Sequence, residues 1–172
     1  FNSEGATWTI HPQYEIGLLA PIAHRIQLGK EGTDFDYIKD GGQDNLFRFQ
    51  RFEMGFQHNG RHHLGLLFQP CDLVTTTEAY TELQFDEVVF AEGTPMVYRY
   101  GFDYYRGSYM YDWREGTSEQ LSFGVALQLR NATLDYRSAN GELQNTNRDI
   151  GPVPLLAMQG KFERENNQWW GF

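Results

Sequence analysis

The stretch Arg51-Phe52-Glu53-Met54-Gly55-Phe56-Gln57-His58-Asn59-Gly60-Arg61-His62-His63-Leu64-Gly65-Leu66-Leu67-Phe68-Gln69 decides the architecture. Phe52, Met54 and Phe56 alternate with Arg51, Glu53, Gly55 and Gln57, the period of two that gives an extended strand one apolar and one polar face. Asn59-Gly60 supplies a tight turn. Leu64, Leu66 and Phe68 then resume on one face, with His63, Gly65 and Gln69 on the other, so the segment reads as a β-hairpin with two-sided strands.

The same alternation extends along the chain. From Val97 to Asp112, Tyr98, Tyr100, Phe102 and Tyr104 alternate with Arg99, Gly101 and Asp103, and the phase blurs over Arg106 to Met110, where a bulge is expected. Leu121, Phe123, Val125, Leu127 and Leu129 alternate with Ser122, Gly124, Ala126, Gln128 and Arg130. The shift to Ala132, Leu134 and Tyr136 predicts a second bulge. A first strand is expected over Ile22 to Tyr37, another over Val153 to Glu163, and the start of a further one over Gln168 to Phe172.

Composition narrows the class. With 14 basic against 23 acidic residues the net charge is -9, which argues against a nucleic-acid partner. No apolar run approaches the roughly 18 residues of a spanning helix, but a barrel that crosses with strands needs none. The 10 Tyr, 13 Phe, 4 Trp and 18 Gly suit strands and turns. Cys71 is the only cysteine, so no internal disulfide staples the chain. The start at Phe1, without Met or a basic segment leading into an apolar run, is what a processed or trimmed chain shows.

Connections add a second line of argument. His58 to Arg61, Arg114 to Glu119 and Arg164 to Asn167 read as short, whereas Lys39 to Asn45, Thr75 to Pro95 and Ser138 to Asp149 read as longer. Such strict alternation is the order of an up-and-down barrel in an outer membrane, with short turns on one side and long loops on the other. The longest loop carries Leu83, Phe85, Val88 and Phe90 and is expected to form a β-extension above the membrane. On this reading Phe52, Met54, Phe56, Leu64, Leu66, Phe68, Phe102, Phe123, Val125 and Leu127 face lipid. Tyr98 and Tyr100 stand at one aromatic girdle, and Trp113, Trp169 and Trp170 at the other.

The polar face carries the candidate chemistry. Arg51, Glu53, His63, Arg99, Asp103 and Arg130 are read as a charged network that fills a narrow lumen, each charge needing a partner. Adjacent His62 and His63 point to opposite sides of a strand, so they do not share a metal, and His58 is assigned to the turn. No metal or cofactor is expected. Ser108, Ser122 and Thr133 lack the strained Gly-x-Ser-x-Gly elbow of a nucleophile, so no catalytic site is assigned. Two alternatives share the pattern. An outer-membrane lipid hydrolase at the barrel rim requires a Ser or Asp within hydrogen-bond reach of His24 or His63, facing lipid. A soluble lipocalin-like barrel puts Phe52, Leu66 and Phe102 around an internal cavity and Arg51, Glu53 and Arg99 outside.

Leu19-Ala20-Pro21-Ile22-Ala23-His24, Gly41-Gly42-Gln43-Asp44, Phe68-Gln69-Pro70, Tyr100-Gly101-Phe102-Asp103-Tyr104-Tyr105-Arg106, Leu127-Gln128-Leu129-Arg130-Asn131-Ala132 and Asp149-Ile150-Gly151-Pro152-Val153-Pro154-Leu155-Leu156 span most of the chain. Together they resemble uncharacterised bacterial outer-membrane β-barrel proteins of the small up-and-down type. The resemblance implies fold and a bacterial outer-membrane location, with no catalytic residue to carry over. Such proteins continue through more strands after the Trp-Trp-Gly-Phe region, where this chain stops. Phe172 and Trp170 imitate a barrel's terminal strand, yet Gln168, Asn166 and Arg164 break the alternation behind them.

The expectation is therefore an all-β, antiparallel up-and-down transmembrane β-barrel, a single domain over residues 1–172, incomplete at about six full strands plus the start of a seventh. An even total of at least eight would close it. Its activity is of structural, binding or small-pore type. The expected partners are outer-membrane lipid and another chain or outer-membrane assembly over the open strand edges.

Overall fold

The structure, a computed structural model, describes residues 7–115, 119–164 and 167–171, with side chains over 7–113 and 120–161. Its strands are β1 (Trp8–Leu19), β2 (Arg25–Gln27), β3 (Asp34–Asp36), β4 (Phe47–His58), β5 (His62–Gln69), β6 (Asp72–Glu78), β7 (Leu83–Phe85), β8 (Val88–Phe90), β9 (Pro95–Glu115), β10 (Glu119–Ser138), β11 (Gln144–Arg164) and β12 (Asn167–Gly171). There is no helix among the described residues, and so none long and apolar enough to cross a membrane. The chain is all-β and antiparallel. One large sheet runs β1-β4-β5-β9-β10-β11-β12, with β6 beside β9, and among the described residues its path does not close.

Local chemistry explains the joints. Asn59 and Gly60 both have positive φ, 49° and 72°, as the tight β4–β5 turn requires. Pro70 lacks an N–H for the ladder, and there, with Cys71, one long strand position divides into β5 and β6. β5 pairs with the C-terminal half of β9 and β6 with its N-terminal half. Strands β9, β10 and β11 reach 21, 20 and 21 residues, longer than the sequence pattern suggested.

Several expectations are corrected here. The first strand is Trp8–Leu19 rather than Ile22 to Tyr37, which instead forms a connection containing the small β2–β3 hairpin. Pro12 is tolerated within β1 because β1 is an edge strand, with no neighbour on one side among the described residues. Ser138 to Asp149 is not a long loop, since β10 and β11 continue until only residues 139–143 join them. The longest connection is residues 20–46, not the one after β6, although Leu83, Phe85, Val88 and Phe90 do form a hairpin, β7–β8. Neither expected bulge is present. The one register shift between β9 and β10 lies at Leu121/Ser122, beside Trp113.

The hydrophobic core sits at the long-connection end. Thr33 N–H donates to the Gln84 carbonyl at 2.9 Å, and the Gln84 N–H donates to Thr33 Oγ1 at 2.9 Å, which ties the two hairpins together. Phe35, Tyr37, Leu83, Phe85 and Phe90 from the connections bury against Met96, Tyr98, Leu134 and Tyr136 of the sheet. Phe85 stacks on Tyr136 at 3.8 Å and Phe35 on Tyr98 at 4.9 Å, and the Tyr37 and Tyr136 hydroxyls hydrogen-bond to each other.

Candidate functional site: an apolar belt backed by a charged face

Residues directly opposite in an antiparallel ladder share a face, so the register assigns every side chain to one side of the sheet. The row Tyr14, Phe52, Phe68, Tyr105, Leu129 and Pro152 crosses β1, β4, β5, β9, β10 and β11. Its aromatic rings follow one another at centroid distances of 4.8, 6.1 and 4.8 Å. Toward the short turns the same side carries Pro12, Met54, Leu66, Gly107, Leu127 and Pro154, and then Ile10, Phe56, Leu64, Tyr109, Val125 and Leu156. It ends in Trp8, His58, His62 and Tyr111, with Trp8 against His58 at 4.4 Å and Tyr109 Oη hydrogen-bonded to His62 Nδ1 at 2.7 Å. This is a continuous apolar belt, and it is uncovered: Val125 is 54%, Leu127 50% and Leu156 91% exposed. A groove of about 720 Å³ lies across it, between Tyr14, Phe52, Phe68, Tyr105 and Leu129.

The other side is polar and better buried. Arg51 Nη2 donates to Glu53 Oε2 at 3.1 Å, and both side chains are about a third exposed. Asp112, 1% exposed, accepts from Ser122 Oγ at 2.6 Å and from Gln120 Nε2 at 2.8 Å, and lies 2.8 Å from His63 Nε2. Gln128, with its amide nitrogen donating to Tyr104 Oη at 2.9 Å, accepts from Arg130 Nε at 2.7 Å. Three polar partners on one buried carboxylate make Asp112 a structural anchor. Asp112→Ala is expected to lower stability by about 2 kcal/mol, because His63, Ser122 and Gln120 each lose a charge-assisted bond. A denaturant titration against the wild type measures it.

The sequence-derived sites divide accordingly. Phe52, Met54, Phe56, Leu64, Leu66, Phe68, Phe123, Val125 and Leu127 share the belt side. Phe102 does not: it stands opposite Ala132, on the side of Arg106 and Gln128. Arg51, Glu53, His63 and Arg130 share the polar side, whereas Arg99 and Asp103 lie on the belt side beyond its aromatic row, where Arg99 pairs with exposed Asp72 at 2.7 Å. Tyr98 is no girdle residue, being fully buried in the core, and Tyr100 packs edge-on to His24 at 4.3 Å. Trp113 is 73% exposed at the short-turn end, but the side chains of Trp169 and Trp170 lie outside the described residues.

One physical cause underlies these corrections. Along β9 the apolar residues change sides, Tyr98, Tyr100 and Phe102 on one and Tyr105, Tyr109 and Tyr111 on the other, without any shift of register between them. What changes is the covering. Beyond the belt, the hairpins bury the polar side's continuation, so that stretch becomes apolar while the belt side turns to Arg99, Asp103, Thr133 and Asp135.

The residues the pattern missed are Asp112 and the belt's aromatic margin. Trp8, Ile10, Pro12, Tyr14, Ile16 and Leu18 alternate as clearly as β4 does, so the missing edge of the belt had a signal in the sequence. His58 belongs to β4, not to the turn, and faces His62 directly. Among the described residues no three His, Cys, Asp or Glu side chains converge as metal ligands. His63 does meet an Asp, but on the polar side, and Ser122 bonds to that Asp rather than to the imidazole, so it lacks the base a serine nucleophile needs. His24 Nδ1 meets Gln43 Oε1 instead, at 2.8 Å. Neither histidine provides the lipid-facing arrangement of a rim hydrolase. Comparison of the chain with family models, with curated proteins and with solved structures finds no match.

Proposed function

We propose that this chain is the membrane-embedded sheet of a bacterial outer-membrane β-barrel, a structural, binding or small-pore protein without catalytic activity. One observation carries the reading: the sheet's polarity is inverted, with Phe52, Leu66, Val125 and Leu127 exposed while Glu53, Leu67, Gln128 and Asp112 beside them are half-buried or buried. In water, exposing such a belt is unfavourable by roughly 25 cal/mol for each Å² of apolar surface, but acyl chains impose no such penalty. The belt covers Trp8 to Leu18 on β1 and Leu121 to Leu129 on β10, spans of the roughly 9 to 11 residues that a tilted strand needs to cross a bilayer. Trp8, Tyr109, Tyr111 and Trp113 form the margin at the short turns, and the Tyr14, Phe52, Phe68 and Tyr105 row lies toward the long connections. Polar strand extensions and the paired hairpins then stand outside the bilayer. Since a bare backbone edge is costly in lipid, β1's free edge pairs with another strand there, from a further segment or another chain.

The groove on the belt favours one other reading, a soluble barrel that encloses an apolar ligand at Phe52, Phe68 and Leu129. Spin labels separate the two. With Cys71→Ser as background, single cysteines at Val125, Ala126, Leu127 and Gln128 are labelled in protein folded into liposomes. The lipid reading gives high oxygen and low nickel-chelate accessibility at 125 and 127, and the opposite trend at 126 and 128. The reversed phase, or protein that stays out of the vesicles, sinks it.

A further inference from the structure

The polar side carries Glu15, Glu53, Asp112 and Asp149 as well as Arg51, Arg106 and Arg130, yet two of its guanidiniums meet no carboxylate. Opposite pairs Tyr104↔Arg130 and Arg106↔Gln128 place two arginines, a phenol and an amide on one patch of β9 and β10. Arg106 and Arg130 are diagonal neighbours there, about 7–8 Å apart at the backbone, within reach of each other's guanidinium. Arg106 is half-buried and makes no hydrogen bond or ion pair among the described residues. Arg130 donates only to the neutral Gln128 amide. The nearby carboxylates are engaged or set apart. Glu53 is held by Arg51, Glu15 accepts from Gln13 Nε2 at 2.7 Å, and Asp149, diagonal to Arg130 on β11, makes no ion pair within 4.0 Å. Farther along the row, Arg51 Nε is buried and without a partner. Arg106 and Arg130 thus stand side by side with no carboxylate partner.

We infer that Arg106, Arg130 and Tyr104 form a binding site for a doubly charged oxyanion, phosphate or a phosphate monoester being the ligand class. Two planar guanidinium forks on adjacent strands, at diagonal positions within reach of each other, suit the oxygens of one tetrahedral anion, and a dianion offsets the repulsion between them. The Tyr104 hydroxyl, which accepts from the Gln128 amide, is free to donate its own proton to the same ligand. Gln128 acts as a positioning residue, since it holds Arg130 Nε. The geometry stands whichever solvent bathes the belt, so this inference and the membrane assignment fail separately.

The test uses the folded chain in detergent micelles and inorganic phosphate as the probe. Unfolding midpoints are followed as phosphate, sulfate or chloride is raised at matched ionic strength. A binding site gives a saturable rise with phosphate and sulfate that chloride does not reproduce. Arg106→Gln and Arg130→Gln are expected to weaken phosphate binding on the order of tenfold or more, and Arg106→Lys to weaken it less, keeping the charge but not the fork. Arg99→Gln, which alters only the exposed pair on the opposite side, leaves the response intact. Phosphate also reporting above sulfate assigns the site to phosphate, and equal responses assign it to dianions generally. If chloride matches phosphate, or if Arg106→Gln responds as the wild type does, the site is not there. A variant that fails to fold is replaced by its Lys counterpart, for which an unchanged phosphate affinity at both arginines would equally overturn the inference.

Discussion

Tyr136→Ala is expected to lower stability by about 3–5 kcal/mol, the range for removing a large aromatic from a packed core. Tyr136 is fully buried, stacked on Phe85 at 3.8 Å and tilted against Tyr37 at 6.0 Å, and it joins both hairpins to β10. Tyr136→Phe keeps the ring and removes only the hydroxyl that bonds to Tyr37, so its cost is smaller, about 1–3 kcal/mol, because one buried phenol is left without a partner. Amide exchange at Phe35 and Phe85 reads the same loss locally, and unchanged protection in Tyr136→Ala would show that the hairpins do not depend on this core. Burial pushes the phenols of Tyr37, Tyr98 and Tyr136 above their ordinary value near 10. The folded state therefore holds these protons more tightly than the unfolded chain does. Their contribution is complete below about pH 10 and is lost as the pH rises beyond it, so the core is expected to loosen in strong alkali as phenolate absorbance appears.

The second large effect is at the belt. Leu127→Arg places a guanidinium opposite Gly107 and Pro154, midway between the aromatic row and the short turns. At bilayer mid-depth such a charge on a barrel's lipid side costs about 2–4 kcal/mol. Gln159→Arg, opposite Ser122 on the polar side, is expected to cost under about 1 kcal/mol. Folding into liposomes, followed by heat-modifiable mobility on gels, compares the two. Equal yields would mean that Leu127 does not contact acyl chains.

Much of this arrangement was legible where each strand sees one environment along its whole length. The Asn59-Gly60 turn and the alternation of Phe52, Met54 and Phe56 against Arg51 and Glu53 needed only backbone sterics and a period of two. β1 was equally periodic, but Pro12 lies in the middle of it, and a proline is compatible with a strand only once its edge position is known. The faces of Arg99, Asp103 and Phe102 were out of reach for a different reason. Which side of β9 is covered there depends on Phe35 and Phe85, far away in sequence, so a change of covering looked like a change of register. Asp112 is illegible in the same way, since its partners His63 and Ser122 come from β5 and β10.

That change of sides along β9 makes slippage self-penalising. Sliding the strand by one residue against β10 would turn Arg106 onto the apolar belt side and, in the same movement, pull Tyr98 out of its aromatic nest. A uniformly two-faced ribbon suffers one such insult when mis-threaded, while this one suffers two of opposite kind at opposite ends. Correct threading of the longest strands is thereby checked twice, once by the apolar belt and once by the hairpins that cover the other side.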